Sequence, residues 1–234
     1  MRVGIHQPQY LPWLPYLRKA AKCDLFILLD SVAFQKNGLQ NRNRIKGASG
    51  PLWLTVPVRH ELGQAIRDTR IDNRSNWRRK HWTTLQQHYA RTPGFAAHGA
   101  ELGTLYEREW DNLCDLNLAA LRLLFRWYGV RVELARSSEM EARGKGSELV
   151  LNLCREAGAT TYLSGLGGKD YLDEASFSRA GIELVYEPPE VVAPYPQAHP
   201  DAGFVGDLSA IDLLFNCGDD WPRYLNQEIT TDAR

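Results

Sequence analysis

The chain has 234 residues, of which 44% are hydrophobic and 24% charged, and its 28 basic and 28 acidic side chains cancel to a formal net charge of zero. That length suits one globular domain with a full core. No apolar run approaches the roughly 20 residues of a membrane helix and no basic region leads into an apolar one at the N-terminus, so no membrane insertion is expected and the expected location is cytoplasmic.

Arg2 to Ile5 reads as a strand, and Pro15, which presets φ for a helix start, opens a helix over Tyr16 to Lys22. Leu25 to Leu29, LFILL, is a fully buried strand. Leu52 to Val58, LWLTVPV, is a strand whose Pro57 marks an edge or a bulge. Residues 65–72, AIRDTRID, alternate as another. Ser75 caps a helix through Tyr89. Helices follow over Gly94 to Tyr106 and Trp110 to Tyr128, the second carrying Leu113, Leu116, Leu121, Leu124 and Phe125 at helical spacing. Val130 to Leu134 is a strand, Ser147 to Ala157 a helix, and Thr160 to Leu163 a strand ending on Ser164-Gly165. A short helix over Asp173 to Arg179, a strand over Ile182 to Tyr186, and a helix from Ser209 to Phe215, capped by Asp207 or Ser209, complete the order. Strands separated by helices predict an α/β fold: a mostly parallel, Rossmann-like sheet with helices on both faces. We expect one domain over residues 1–234, with residues 75–128 as a helical insertion. Cys23, Cys114, Cys154 and Cys217 are dispersed without C-x-x-C spacing, which argues against a zinc framework and for buried reduced thiols. No metal centre and no cofactor is expected.

In open α/β sheets, ligands bind beyond the carboxyl ends of the strands. His6-Gln7 ends the first strand, Asp30 the second and Ser164-Gly165 a later one, so three polar strand tips are expected to line one cleft. Pro8, Pro12 and Pro15 stiffen the loop over it, and Tyr10, Trp13 and Tyr16 either wall the cleft or pin the loop to the core. Charge is unevenly spread. From Lys36 to Arg91 there are twelve basic residues against Glu61, Asp68 and Asp72, and from Asp170 onward 13 acidic residues stand against three basic ones. The basic stretch fits an anionic partner such as a nucleotide, a sugar nucleotide, a phospholipid-linked sugar or an RNA. The competing reading is a solvated face paired with the acidic C-terminal part.

The stretches IHQPQYLPWLPYLRKAAKCDLFILLDSVAFQKNGLQNRNRIKG, WLTVPV, KHW, YLSGLGGKDYLDEASFSRAGIEL, YPQ and LSAIDLLFNCG resemble the WbqC-like protein family over most of the chain. The resemblance implies a place in bacterial surface-polysaccharide synthesis and a role in attaching glycine, or another small acyl group, to a sugar. Its matching polar positions are His6, Gln7, Tyr10, Asp30, Lys36, Asn41, Arg42, Asn43, Lys46, Lys80, His81, Ser164, Asp170, Tyr171, Gln197, Ser209, Asp212 and Asn216. A fainter likeness is to nucleotidylyltransferases and class I aminoacyl-tRNA synthetases, which also begin with a strand, a histidine-bearing loop and a helix. Here Gln-Pro-Gln-Tyr stands where their second histidine would be.

His6 and Asp30 are the candidate catalytic pair. A strand-tip histidine with an ordinary pKa near neutrality serves as general base, and a carboxylate closing an apolar run orients it, unless each is only a satisfied core or turn residue. Lys36, Arg42 and Lys46 would hold phosphate or carboxylate, while Asn41 and Asn43 suit a sugar or amide. Gln7, Tyr10, Lys80, His81, Asp170 and Gln197 join them as substrate-binding candidates. In SGLGGKD, Ser164 and Gly165 bring backbone and hydroxyl to a ligand, and Lys169 meets a phosphate. The expected activity is a transferase moving a small acyl or aminoacyl unit onto an amine or hydroxyl of a sugar or related metabolite. Its partner would be a sugar nucleotide, a sugar phosphate or an aminoacyl-tRNA. A non-catalytic sugar-phosphate-binding module and a nucleotidylyltransferase-like enzyme are the alternatives.

Overall fold

The computed structural model describes residues 1–188 and 192–224. In chain order its elements are β1 (Arg2–His6), α1 (Leu14–Ala21), β2 (Leu25–Leu28), β3 (Arg42–Gly47), β4 (Gly50–Thr55), β5 (Val58–Arg59), β6 (Arg70–Ile71), α2 (Trp77–Tyr89), α3 (Pro93–Glu107), α4 (Leu113–Trp127), β7 (Glu133–Arg136), α5 (Gly146–Glu156), β8 (Thr161–Gly165), α6 (Glu174–Arg179), β9 (Glu183–Glu187) and α7 (Ala210–Cys217). Five strands form one sheet in the order β7-β2-β1-β8-β9. Every neighbouring pair in it is parallel. This is a Rossmann-like α/β fold.

The composition of β2 shows why both faces carry helices. Its four residues are all buried. Phe26 and Leu28 pack into a core shared with Leu17 of α1, Leu116 and Leu124 of α4, and Ile211 and Leu214 of α7. Leu25 and Ile27 join Leu149 and Leu153 of α5 and Phe177 of α6 in a second core. Successive side chains point to opposite faces, so a strand covered on both sides reads as an unbroken apolar run. Each of these side chains contributes about 1.5–3 kcal/mol on burial.

Several elements differ from the sequence-based expectations. The segment NRNRIKG forms β3, antiparallel to β4. Its asparagines supply hydrogen bonds to distant carbonyls, Asn41 to Val56 O at 2.9 Å and Asn43 to Leu11 O at 2.7 Å. LWLTVPV divides into β4 and β5 around Pro57. AIRDTRID becomes a 3-10 turn, Ile66–Asp68, followed by the two-residue β6. The helix expected from Trp110 starts at Leu113, because the Asn112 side chain caps it by accepting from the amides of Cys114 and Asp115. The N-cap of α2 is Asn76 rather than Ser75, and its side chain makes no capping hydrogen bond.

Two buried carboxylates fasten loops to this frame. Asp30, just past β2, accepts from Arg136 Nε at 2.8 Å, Ser137 Oγ at 3.1 Å, and the amide and hydroxyl of Ser138 at 2.9 and 2.8 Å. It ties the end of β2 to the end of β7. Asp212 of α7 accepts from the Tyr89 hydroxyl, from Tyr195 Oη at 2.7 Å and from Gln197 Nε2 at 2.8 Å. The Lys46 amide lies 3.4 Å away. Asp212 thereby joins α2, β3 and the segment after β9 to α7. Helices α3 and α7 meet at backbone distance, since a Cβ on Gly94 would lie 2.0 Å from the Leu214 carbonyl oxygen.

Gly94→Ala should therefore force α3 and α7 apart and destabilise the fold by about 1–3 kcal/mol, seen as a lower midpoint of urea unfolding. An unchanged midpoint would contradict this contact. Burial raises the carboxyl pKa of Asp212, against the lowering effect of its hydrogen bonds from Tyr89, Tyr195 and Gln197. The folded state then holds this proton more tightly than the unfolded chain, whose Asp titrates near about 3.9. Its contribution is present below that value and is lost as pH rises through the folded pKa, at up to about 1.4 kcal/mol per pH unit. Asp212→Asn should remove this slope. A stability difference between wild type and Asp212→Asn that stays flat from pH 4 upward would refute it.

Candidate functional site

The strand order reverses between β1 and β8: the chain leaves β1 for β2 and β7 on one side and returns for β8 and β9 on the other. Crossovers on opposite faces leave a crevice at the carboxyl ends of the two central strands. A cavity of about 630 Å³ lies there, within the range of small-molecule sites. Ile5, His6 and Gln7 bring the tip of β1 to it. Ser164 and Gly165 bring the tip of β8, followed by the 3-10 turn of Leu166, Gly167 and Gly168. Helix α1 lays Pro15, Tyr16, Arg18 and Lys19 along one side with Lys22 just beyond, and Trp13, Tyr171 and Pro188 complete an apolar rim.

His6 stacks obliquely on Tyr16, ring centroids 4.6 Å apart. Its Nδ1 lies 3.1 Å from the Gln7 carbonyl oxygen. A carbonyl only accepts, so Nδ1 carries the hydrogen and Nε2 of the neutral ring is the acceptor. Burial, with Lys19 adding its positive charge, lowers the His6 pKa to about 3. The expectation of a His6 ionisation near neutrality is thereby corrected. Lys19 donates to the Ile5 carbonyl at 3.0 Å, and burial lowers its pKa to about 8. Of His6 and Lys19, the one that ionises nearer neutrality is therefore Lys19. Lys22 pairs with Glu187 of β9 across the cavity mouth. Ser164 is buried and donates to the Gly165 carbonyl at 3.0 Å. A Cβ on Gly168 would come within 2.1 Å of Ser164 Oγ, so only glycine lets the turn fold over that hydroxyl.

The other sequence-derived candidates lie elsewhere. Asp30 is buried in its knot with β7 and does not line the cavity, so it does not orient His6. Tyr10 is buried, hydrogen-bonded to Tyr106 at 2.7 Å and to His81 at 3.0 Å, and His81 Nε2 donates to the Thr55 carbonyl at 3.2 Å. These two pin the loop of residues 7–13 to the helical layer. Lys46 is buried, with Nζ donating to the Gly203 carbonyl. Asn41, Asn43 and Gln197 serve the internal contacts already described, and Arg42 stacks on Trp53 at 4.2 Å. Lys36, Lys80 and Asp170 are exposed away from the cavity lining, and exposed Lys169 lies over the Tyr186 ring at 5.3 Å. Arg18, Lys19, Lys22 and Glu187 were absent from the sequence-derived set. The signal was available: Arg18, Lys19 and Lys22 stand at helical spacing along α1 and its C-cap, in the first helix after the first strand. Among the described residues, no group of three His, Cys, Asp or Glu side chains comes together to hold a metal ion.

Among the described residues, no helix is long and apolar enough to cross a membrane. No solved structure matches the chain. A protein of Mycobacterium tuberculosis described as uncharacterized protein Rv1507c is 35% identical over 227 residues, 96% of this chain and 97% of that protein. The profile of the WbqC-like protein family matches residues 7–224. On that match, which takes in β8 and all of the cavity wall except Ile5 and His6, the chain belongs to the WbqC-like protein family.

Proposed function

We propose that the crevice between β1 and β8 is the site of a transferase that moves a small acyl or aminoacyl unit onto an amine or hydroxyl of a sugar or related metabolite. The observation that carries this reading is the meeting of His6, with an acceptor Nε2, and the cationic edge of α1 over one cavity at the switch point of the sheet. Lys19 holds the phosphate or carboxylate of a sugar nucleotide or sugar phosphate, with Arg18 and Lys22 beside it. Such an anion offsets the field of Lys19, which after burial is the second cause that lowers the His6 pKa, and so raises it; Nε2 gains basicity when substrate is present. The acceptor's proton then passes to Nε2 as its nitrogen or oxygen attacks the acyl carbon, and the donor's leaving group departs. An aminoacyl-tRNA is one donor of this kind, and a sugar nucleotide or sugar phosphate is the acceptor. Purified protein incubated with aminoacyl or acyl donors and a panel of amino and hydroxy sugar nucleotides tests the reading. It is supported when mass spectrometry finds acceptor bearing the donor's acyl unit, and fails when only hydrolysed donor accumulates.

His6→Asn keeps a polar side chain but not the proton acceptor, and should lower kcat by about 10²–10⁴-fold with little change in melting temperature. A folded His6→Asn protein of full activity would remove His6 from the chemistry. For Lys19, protonation governs anion binding: affinity should hold below about pH 8 and fall above it as the ammonium loses its charge. Lys19→Arg should carry the fall to higher pH. Titration calorimetry with inorganic pyrophosphate at several pH values checks this, and affinity that does not vary between pH 6 and 10 would contradict it.

A further inference from the structure

Outside the cavity, one solvent-facing strip combines unneutralised cations with an exposed indole. The extended chain from β4 into β5 buries Leu54 and Val56 and turns Trp53, Thr55 and Arg59 outward. Their cross-strand partners are Arg44, Arg42 and Arg70 respectively. Arg42 and Arg44 both lie over the Trp53 ring, at 4.2 and 5.6 Å, and Trp53 keeps 43% of its surface open. Arg59 and Arg70 are exposed and directly opposed, an arrangement of like charges that destabilises a ribbon unless an anion joins it. Asp72, whose carboxylate feels the charge of Arg59, is engaged by Arg74 at 2.6 and 2.8 Å. Among the described residues, none of Arg42, Arg44, Arg59 and Arg70 stands in an ion pair with a carboxylate. From Trp53 to Arg59 the strip runs about 20 Å at strand rise.

We propose that this strip binds a single-stranded nucleic acid, a base stacking at Trp53 and successive phosphates meeting Arg42, Arg44, Arg59 and Arg70. A strand carries its negative charges at regular intervals and offers a flat aromatic face between them, and the strip presents the complement of both. A phosphate-only polymer would satisfy the arginines and leave the open indole unexplained. The strip begins close to the cavity: Gln40, two residues before Arg42, donates to the side chain of Gln7 at 2.7 Å. The inference stands independently of the transfer chemistry proposed for that cavity.

Fluorescence anisotropy of a labelled 12-nucleotide oligouridine, titrated with the full chain at several salt concentrations, tests it. Trp53→Ala should weaken binding at least about fivefold, while Trp53→Phe retains most of it. Arg59→Ala and Arg70→Ala should each reduce the salt slope by about 0.7. Inorganic polyphosphate should bind without regard to Trp53. Trp53→Ala and Trp53→Phe should melt near wild type, and Arg59→Ala and Arg70→Ala at or slightly above it, since each arginine removed relieves a cross-strand repulsion. Oligouridine binding that is untouched in folded Trp53→Ala, Arg59→Ala and Arg70→Ala would overturn the proposal. So would a light-scattering mass showing a dimer that Trp53→Ala dissolves, which would make the strip a contact between two copies.

Discussion

Strand β1 is hydrogen-bonded on one side to β2 and on the other to β8, and the chain reaches those neighbours by crossovers that depart in opposite directions. Helices that cover the sheet elsewhere cannot cover the place where the crossovers diverge. An opening must therefore remain at the carboxyl ends of β1 and β8, and whatever residues stand there are set before any consideration of chemistry. His6 and Ser164 occupy those ends. The apolar residues of β1 and β2, buried between two helical layers, hold the tips in place.

The loops around the opening are held by polar contacts rather than by a core of their own. Tyr10 and His81 anchor the loop after β1 to α2, Asp30 anchors the end of β2 to β7, and Asp212 gathers α2, β3 and the segment of Tyr195 and Gln197. Each carboxylate is enclosed by donors, so loss of one acceptor leaves several buried donors unsatisfied. Rigid walls in turn keep the His6 ring in one orientation against Tyr16, and that orientation selects the tautomer. The two ionisable groups of the cavity also act on each other: the positive charge of Lys19 helps keep His6 neutral, and an anion bound at Lys19 changes that balance.

Much of the fold was legible because the sheet is covered on both faces. LFILL, the periodic leucines of α4 and the apolar face of α5 follow from burial alone, and their alternation already implied a parallel α/β sheet. What escaped were features decided by distant partners. Nothing local in NRNRIKG distinguishes a polar loop from β3, whose Asn43 bonds a carbonyl 32 residues away. Asp30 at the end of an apolar run reads alike whether it opens into a cleft or closes on Arg136, 106 residues further along. His6 and Ser164 were legible as strand tips because the switch point depends on topology. The cations of α1 read alike in sequence whether they face solvent or a cavity, and of the basic stretch from Lys36 to Arg91 part is interior in the fold and part forms the Trp53 strip.

The central claim is that the tips of β1 and β8 form the ligand site, with His6 neutral and hydrogen-bonded through Nδ1. Nitrogen-15 NMR of the His6 imidazole, recorded with the backbone amides during titration with inorganic pyrophosphate, measures both parts at once. The account predicts a protonated Nδ1 and an unprotonated Nε2 across neutral pH in the free protein. On adding ligand it predicts concerted shifts at His6 and in the amides of Gly165, Gly167 and Gly168. A His6 ring protonated on both nitrogens at pH 7, or ligand shifts that spare both strand tips, would contradict it.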